Sequence, residues 1–558
     1  MRTSWTLALI LSTSYAITCP PRVRRPWGSL TTDEQQLYVN AVALAMQKGY
    51  HHKFVEVHDE VEGVYEAHSC TFFYWHRKFL LAYETMLRSL GDQYSCITIP
   101  YWDYATLSDG FQANTCTDFA SCASSLHEAF GGSKAGKGIN ATINGDPITA
   151  DSCVSNFPLN NFCESSKAYD TNTCMKCLPR NDWSTSVVPA ELNAQSIANQ
   201  ILGSKSVNDC NDGVQLGSHN MLHFNLGGAM ASFESPADPV FYIHHSTVDL
   251  MHRIFYKCNV GRPLADVELA NPDVYIANNE RLWPTCPRWW SDNTNIKPSD
   301  TVTFKVGQFD AALTITDDPS SPLYPFFKGL PNQYYQYIDA DALGNFSYSY
   351  VYAGRLADLF VNCTLTPGLV VNSSIAPIYQ PPTPTPAPTP APTRAVPKAV
   401  PRTNAPTLAP TTKTTSMLET IVYLDEASER HGNVKRIYKY ENRVYERPRK
   451  VGELKEMTWA EAINSNAKYH GVKDEEMSTQ IELILCMHHH ECHGGCYDFD
   501  KDFKKAFHPK GPPRCARLVK DLYHGAHQIR IPNWRALTHK HFPCVEEAPP
   551  SIAAVVEM

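Results

Sequence analysis

The stretch "DPVFYIHHSTVDLMHRIF" runs from Asp238 to Phe255. Asp238-Pro239 is a cap followed by a first-turn proline, and the apolar residues after it recur at helical spacing, so a helix is expected. His245 lies inside its apolar part, where an imidazole without a partner is costly. A helix that buries a histidine must give it something to bind. Asp249 is four residues on, on the same face, and is a candidate to orient His245. Upstream, "HNMLHF" (His219–Phe224) sets His219 and His223 four apart, which on a helix places their Cβ atoms about 5–6 Å apart on one face. A third stretch, "AHSCTFFYWHR" (Ala67–Arg77), puts His68 and His76 around an aromatic run that would keep a site dry, and His58 lies upstream in "KFVEVHDE".

Six histidines from two separated regions, three and three, suggest two metal ions with three imidazoles each. Imidazole suits copper, zinc and iron, and three protein ligands leave a coordination position open for catalysis. With no thiolate or carboxylate in either set, copper is favoured for a redox pair.

The 558 residues are too many for one ordinary core, and two domains are expected. A formal charge of −8 does not suggest a nucleic-acid partner. Residues 1–16 read as a signal peptide: Arg2, the apolar "TLALIL", and "SYA" before a cleavage site after Ala16. No later run is long and apolar enough to span a bilayer, so no membrane partner is expected. Eighteen cysteines and sequons at Asn140, Asn345, Asn362 and Asn372 favour an exported, extracellular protein.

The segment 376–415 is dominated by Pro, Thr and Ala and cannot build a core, so it reads as an extended, protease-accessible linker. It divides residues 17–375 from a C-terminal Cys/His-containing domain at 416–558. In the first part, Thr31 or Thr32 with Glu34 or Gln35 predicts a capped helix ending at Gly49. "WHRKFLLAYETMLRSL" predicts another, with Phe79, Leu80, Tyr83 and Leu87 on one side. Residues 110–215, rich in Gly, Asn, Ser and Cys, read as a long disulfide-stapled loop insertion. His51 and His52 read as exposed residues, although either is a competitor for the place of His58.

The segments "KFVEVHDE", "AHSCTFFYWHRKFLLAYE", "IPYWDY", "HNMLHF" and "DPVFYIHHSTVD" resemble, in order, the signature segments of tyrosinases and other type 3 copper proteins. The likeness extends over most of residues 22–355. It includes an N-terminal arginine cluster (Arg22, Arg24, Arg25) and the closing segment "NFSYSYVY".

The resemblance implies a mainly α catalytic core built on a four-helix bundle around a dinuclear copper site. His58, His68 and His76 match the ligands of the first copper, and His219, His223 and His245 those of the second. His244 is then a helical neighbour pointing elsewhere. It also implies oxidation of small phenolic substrates with O2 as co-substrate: ortho-hydroxylation of monophenols and oxidation of o-diphenols to o-quinones, as in melanin-type chemistry. A catechol oxidase with diphenolase activity only, or a hemocyanin-like oxygen-binding protein, is the alternative. Asn220 matches an amide that holds the water deprotonating a phenol. Asp212 is the candidate carboxylate beside it, or else a solvated loop residue. Ser232, after Ala231, or Phe233 would gate the site. Glu66 stands where many eukaryotic relatives have a thioether-forming Cys, so Cys70 is expected in a disulfide instead. His252 reads as a packing or hydrogen-bonding residue.

In the tail, Thr458 to Glu461 reads as a capping box. "KDEEMSTQIELILCMHHHECHGGC" reads as a helix ending at Gly494-Gly495. The cluster of His488, His489, His490 and His493 with Cys486, Cys492 and Cys496 reads either as disulfides plus helix-end histidines or as a zinc or copper site. Thirteen cysteines precede the linker and five follow it, so one bridge between the two parts is expected. Tails of fungal and molluscan relatives cover the copper site, which implies a docked, latency-conferring tail here.

Overall fold

The computed structural model describes residues 18–288, 293–306, 313–315, 318–365, 443–445 and 447–544, and they are mainly helical. The signal segment, the linker at 376–415 and the Asn372 sequon lie outside the described residues. Helix α1, Thr32–Gln47, starts on a reciprocal cap. Glu34 N donates to Thr31 Oγ1, and Thr31 N to the Glu34 carboxylate. Gly49, at φ +73°, then turns the chain straight into α2, Tyr50–Asp59. Next come α3, Val61–Ala67, and α4, Phe72–Arg88. In α4 the expected Phe79, Leu80, Tyr83 and Leu87 are buried, but so are Tyr74, Trp75 and Arg77. A helix enclosed on every side shows no polar stripe.

After α5, Tyr104–Gln112, the expected stapled insertion holds only in part. Disulfides Cys116–Cys122, Cys153–Cys177 and Cys163–Cys174 pin it, together with a hairpin of Ile139–Ile143 and Asp146–Ala150. Its end is helical instead: α6, Ala194–Leu202, and α7, Val207–Val214. The polar residues read as loop-forming here are caps. Asn193 accepts from Gln195 N, and Ser206 from Asp209 N. Behind them Ile197, Ile201, Val207 and Val214 are buried.

Helix α8, Asn220–Leu226, follows a wide turn at Gln215–His219, and α9, Val240–Asn259, is the expected long helix. Asp238 accepts from Val240 N at its start while paired with buried Arg180 at 2.7 Å. Strands β1, Arg22–Arg24, and β2, Tyr348–Ala353, lie parallel, with Arg22 opposite Tyr348. The arginine run and the tyrosine-rich closing segment are therefore neighbours. Helix α10, Gly354–Asn362, follows β2. Strand β3, Arg443–Tyr445, adds to the other edge of β2, again parallel.

The tail then folds as α11, Val451–Tyr469; α12, Asp474–Cys492; α13, Lys501–Phe507; α14, Arg514–Tyr523; and α15, Trp534–His541. Trp459, Ile463, Ile484, Val519 and Phe542 build a core of its own. The expected cap at Thr458 is wrong: Thr458 lies inside α11 and its hydroxyl donates to Leu454 O. The helix begins earlier, where Glu453 accepts from Lys450 N at 2.7 Å. Helix α12 ends where the two glycines predict, with Gly494 at φ +87°.

The tail packs on the core through polar contacts. Glu482 accepts from Asn199 Nδ2 at 2.6 Å and Ser196 Oγ at 3.0 Å, and Arg355 pairs with Glu456 at 2.9 Å.

The expected bridge between the two parts is absent among the described residues. Cys19–Cys96, Cys70–Cys286 and Cys258–Cys363 complete the core set, and Cys492–Cys544 and Cys496–Cys515 lie within the tail. Cys210 and Cys486 stay free and buried, each packed into its own core, which accounts for both odd counts.

Candidate metal centre

His58 comes from the end of α2, His68 follows α3, and His76 lies in α4. Their ring centroids are 5.5, 5.6 and 6.2 Å apart. His219 closes the wide turn, His223 is on α8 and His245 on α9, with centroids 4.5, 5.0 and 5.7 Å apart. The two triads meet where His76 stacks on His245 at 4.0 Å.

In all six rings Nε2 is buried and has no hydrogen-bond partner. Four of them spend Nδ1–H on an oxygen: His58 on Phe233 O at 2.7 Å, His76 on Phe72 O at 2.9 Å, His223 on Met230 O at 2.6 Å, and His219 on Asn220 Oδ1 at 2.7 Å. That choice of tautomer leaves the lone pair on Nε2. Burial pushes His58 down to about 4 and His223 to about 3, and the other four well below the usual imidazole range. All six are therefore neutral. Six buried nitrogens with free lone pairs and no partner are costly in a bare protein core. They fit a metal cluster.

Four neighbours differ from expectation. His51 and His52 are buried, not exposed. Both nitrogens of His51 are engaged, by Tyr83 OH at 2.9 Å and Ala237 O at 3.0 Å, so it cannot replace His58. His244 does not point elsewhere. Its Nδ1 meets Tyr104 OH, its Nε2 has no hydrogen-bond partner, and its ring lies 4.8 Å from His223. One ligand atom from each of His219, His223, His244 and His245 lies within 4.8 Å of the others. Asp249 does not reach His245, whose Nδ1 has no partner. The carboxylate is already taken up by Arg77 at 2.6 Å, Tyr348 at 2.5 Å and Tyr350 at 2.6 Å, with Arg24 at 3.4 Å. Although burial pushes its pKa up, Arg77 and Arg24 hold Asp249 at about 2. His252 has the expected hydrogen-bonding role, with Arg77 Nη2 donating to its Nδ1 at 2.9 Å.

A cavity of about 700 Å³ opens on the site, with His68, Asn220, Asp212, Phe233, Phe507 and Lys510 among its walls. Phe233 overhangs His68 at 5.0 Å between rings, whereas the Ser232 hydroxyl turns away to Ala229 O. Of the two gate candidates, Phe233 is therefore the one over the site. Asp212 sits in the cavity wall, paired with Lys510 at 2.6 Å. Phe507, from the tail, lies 5.0 Å from His223 and 5.6 Å from both His68 and Phe233. Sequence reading missed it, although Phe499, Phe503 and Phe507 recur every four residues, the spacing of a helical stripe. Phe507 stacks on Phe503 at 4.4 Å.

Residues 46–257 match the family model described as the common central domain of tyrosinase. Residues 46–257 therefore form a tyrosinase-family domain. The matched span contains all six histidines. Over 290 residues the chain is 27% identical to a tyrosinase of Streptomyces glaucescens, covering 49% of this chain and 93% of that one. Over 264 residues it is 29% identical to a tyrosinase-like protein of Diaporthe leptostromiformis, covering 43% and 65%. A looser overlay joins it to a polyphenol oxidase of Thermothelomyces thermophila, at 18% identity and a TM-score of 0.34, over 59% of this chain and 89% of that one.

Within this tyrosinase-family core, Glu66 is buried and accepts from Tyr334 OH and Thr303 N. Burial pushes its carboxyl up to about 7. Cys70, two residues past His68, is bonded to Cys286 as expected and is not available to an imidazole.

Proposed function

We propose that the chain is an exported, latent phenol oxidase. His58, His68 and His76 would hold one copper ion, and His219, His223 and His245 a second. Its reactions would be ortho-hydroxylation of monophenols and oxidation of o-diphenols to o-quinones. The observation that carries this reading is the set of six buried Nε2 atoms without partners, in two triads joined through His76 and His245. Bound copper would supply the O2 binding and the electron exchange with the phenol.

The chain's own residues supply the rest. Asn220, Phe233 O, Phe72 O and Met230 O fix four rings so that Nε2 faces inward. Val64, Leu216 and Phe233 give the cavity an apolar wall for an aromatic ring. A phenol, with a pKa near 10, must lose its proton before its oxygen can bind a metal. Asp212, on the same cavity as Asn220, is the carboxylate in reach to take that proton through a water, once Lys510 has left it.

The tail supplies the latency. The Phe507 ring lies against His68 and His223, where an aromatic substrate would have to enter. Cleavage in 376–415 would remove the covalent tether, so that the tail can leave the core. Export is supported by the eight disulfides and by the exposure of Asn140, Asn345 and Asn362.

The test is copper analysis with tyrosine and catechol oxidation assays, before and after proteolysis at 376–415. Two coppers, with both activities rising on cleavage, are expected. Catechol turnover alone would make it a catechol oxidase, and reversible oxygenation without turnover an oxygen carrier. A protein that takes up no copper sinks the reading.

A further inference from the structure

A second group of metal-ligating side chains lies in the tail, apart from the six core histidines. We propose that His488, Cys492, His539 and Cys544 form a tetrahedral site for one zinc ion, open when the Cys492–Cys544 disulfide is reduced. Helix α12 presents His488 and Cys492 four residues apart, hence on one face. Helix α15 brings His539, and Cys544 follows five residues on. One ligand atom from each of the four lies within 4.8 Å of the others. Around a tetrahedral zinc, with nitrogen at about 2.0 Å and sulfur at about 2.3 Å, such atoms are about 3.3–3.8 Å apart, so the widest pairs close by roughly 1 Å while the two sulfurs, no longer bonded to each other, move apart.

Two further observations point to a ligand. His488 is buried, 1% exposed, and neither of its ring nitrogens has a hydrogen-bond partner. Its ring lies 5.6 Å from that of His539. His539 Nε2 in turn sits 3.7 Å from Cys492 Sγ and 3.6 Å from Cys544 Sγ, facing both sulfurs at once. A pair of imidazoles and a pair of thiolates select zinc over harder cations.

The disulfide and the ion exclude each other, because zinc is held by thiolates and a neutral disulfide sulfur is a poor donor. A dithiol reductant supplies two electrons and two protons. The Cys492–Cys544 bond breaks to two thiols and the reductant becomes a disulfide. Zinc then displaces one proton from each thiol, so two protons are released per ion bound. Either linkage ties the end of α12 to the segment after α15, so the tail keeps its fold in both states. Cys496 and Cys515 are bonded to each other elsewhere in the tail and take no part.

The test uses the full chain, reduced with a dithiol, freed of it, and titrated with cobalt(II) and then zinc(II). Expected are the intense visible and near-ultraviolet bands of a tetrahedral cobalt–thiolate site, bleached by zinc. They should be lost in the His488→Ala/His539→Ala and Cys492→Ser variants and kept in His219→Ala. On wild-type protein, which needs no variant to fold, adding zinc to the reduced chain should lower the alkylation of Cys492 and Cys544 and leave that of Cys496 and Cys515 unchanged. Cobalt bands unchanged in the double histidine variant, or equal protection of all four cysteines, would overturn the proposal. So would uptake of copper(I) without zinc. None of these readouts depends on the core histidines binding copper, so the two readings can fail separately.

Discussion

At the scale of single residues, the centre depends on which ring nitrogen carries the proton. Asn220 Oδ1 accepts a hydrogen bond from Nδ1–H of His219, and three backbone carbonyls do the same for His58, His76 and His223. Only the first of these partners is a side chain, so only it can be removed by substitution. Replacing an outer partner of this kind costs about 10–100-fold in metal affinity. Asn220→Ala should therefore weaken copper retention by that order in a chelator competition, with the fold unchanged by circular dichroism. Retention equal to wild type would show that the hydrogen bond does not set the tautomer. The six histidines were legible because their spacings and aromatic surroundings are local. Their partners were not, because Phe233 O and Met230 O come from segments whose approach only the fold decides. For the same reason His51 read as exposed: its partners, Tyr83 and Ala237, are distant in sequence.

At the scale of elements, α4, α9, β1 and β2 are joined through one carboxylate. Asp249 on α9 meets Arg77 on α4, Arg24 on β1, and the hydroxyls of Tyr348 and Tyr350 on β2. All of these groups are buried. Removing one charge strands two guanidinium groups in the core, and breaking a buried pair typically costs about 3–5 kcal/mol. Asp249→Asn should lower stability by about that amount in denaturant unfolding. A loss below about 1 kcal/mol would mean that Glu84, which lies 3.4 Å from Arg24, carries the compensation instead. The pH sign follows from the depressed pKa. The stabilisation is present above the usual Asp range near 3.9 and is lost as pH falls towards about 2. From sequence, Asp249 could be placed on the same helical face as His245, but not ranked among its competing partners. The helices with clear period and caps were legible. α6 and α7 were not, because Asn193 and Ser206 read as loop when they were in fact caps.

At the scale of the molecule, the tail both walls the cavity beside His68 and His223 and seals a polar seam, and these two roles can be separated. Phe507→Ala removes the ring beside His68 and His223 but leaves Lys510–Asp212 and the contacts of Glu482 in place. The uncleaved variant should oxidise small catechols faster than the uncleaved wild type, while the tail still co-elutes with the core after linker cleavage. The seam itself is set to respond to pH. Glu191 is buried between core and tail, accepts from Cys515 N at 2.7 Å, and faces Glu482 and Arg514. Burial pushes its carboxyl up to about 7, so the docked state holds a proton that a free glutamate would have lost. Buried Asp109, beside Glu456 and Arg355, is raised in the same direction, by burial and then by Glu456. Both groups therefore favour docking in full below the ordinary carboxylate range; the contribution of Glu191 is lost as pH rises to about 7, and that of Asp109 as pH rises through its own raised pKa. Glu453 is shifted in the opposite sense: despite its burial, hydrogen bonds from Arg447 hold its pKa low, but its lowering partners Arg447, Lys450 and Arg449 all belong to the tail, so this shift does not set docking. After cleavage in the linker, the tail should stay with the core near pH 5 and be released more readily near pH 8, as read by size-exclusion chromatography. Glu191→Gln keeps an acceptor for Cys515 N without the charge, so it should retain the tail at both values. Equal retention of the wild-type tail across this range would mean that Arg514 neutralises Glu191 in place, and that the seam does not respond to pH.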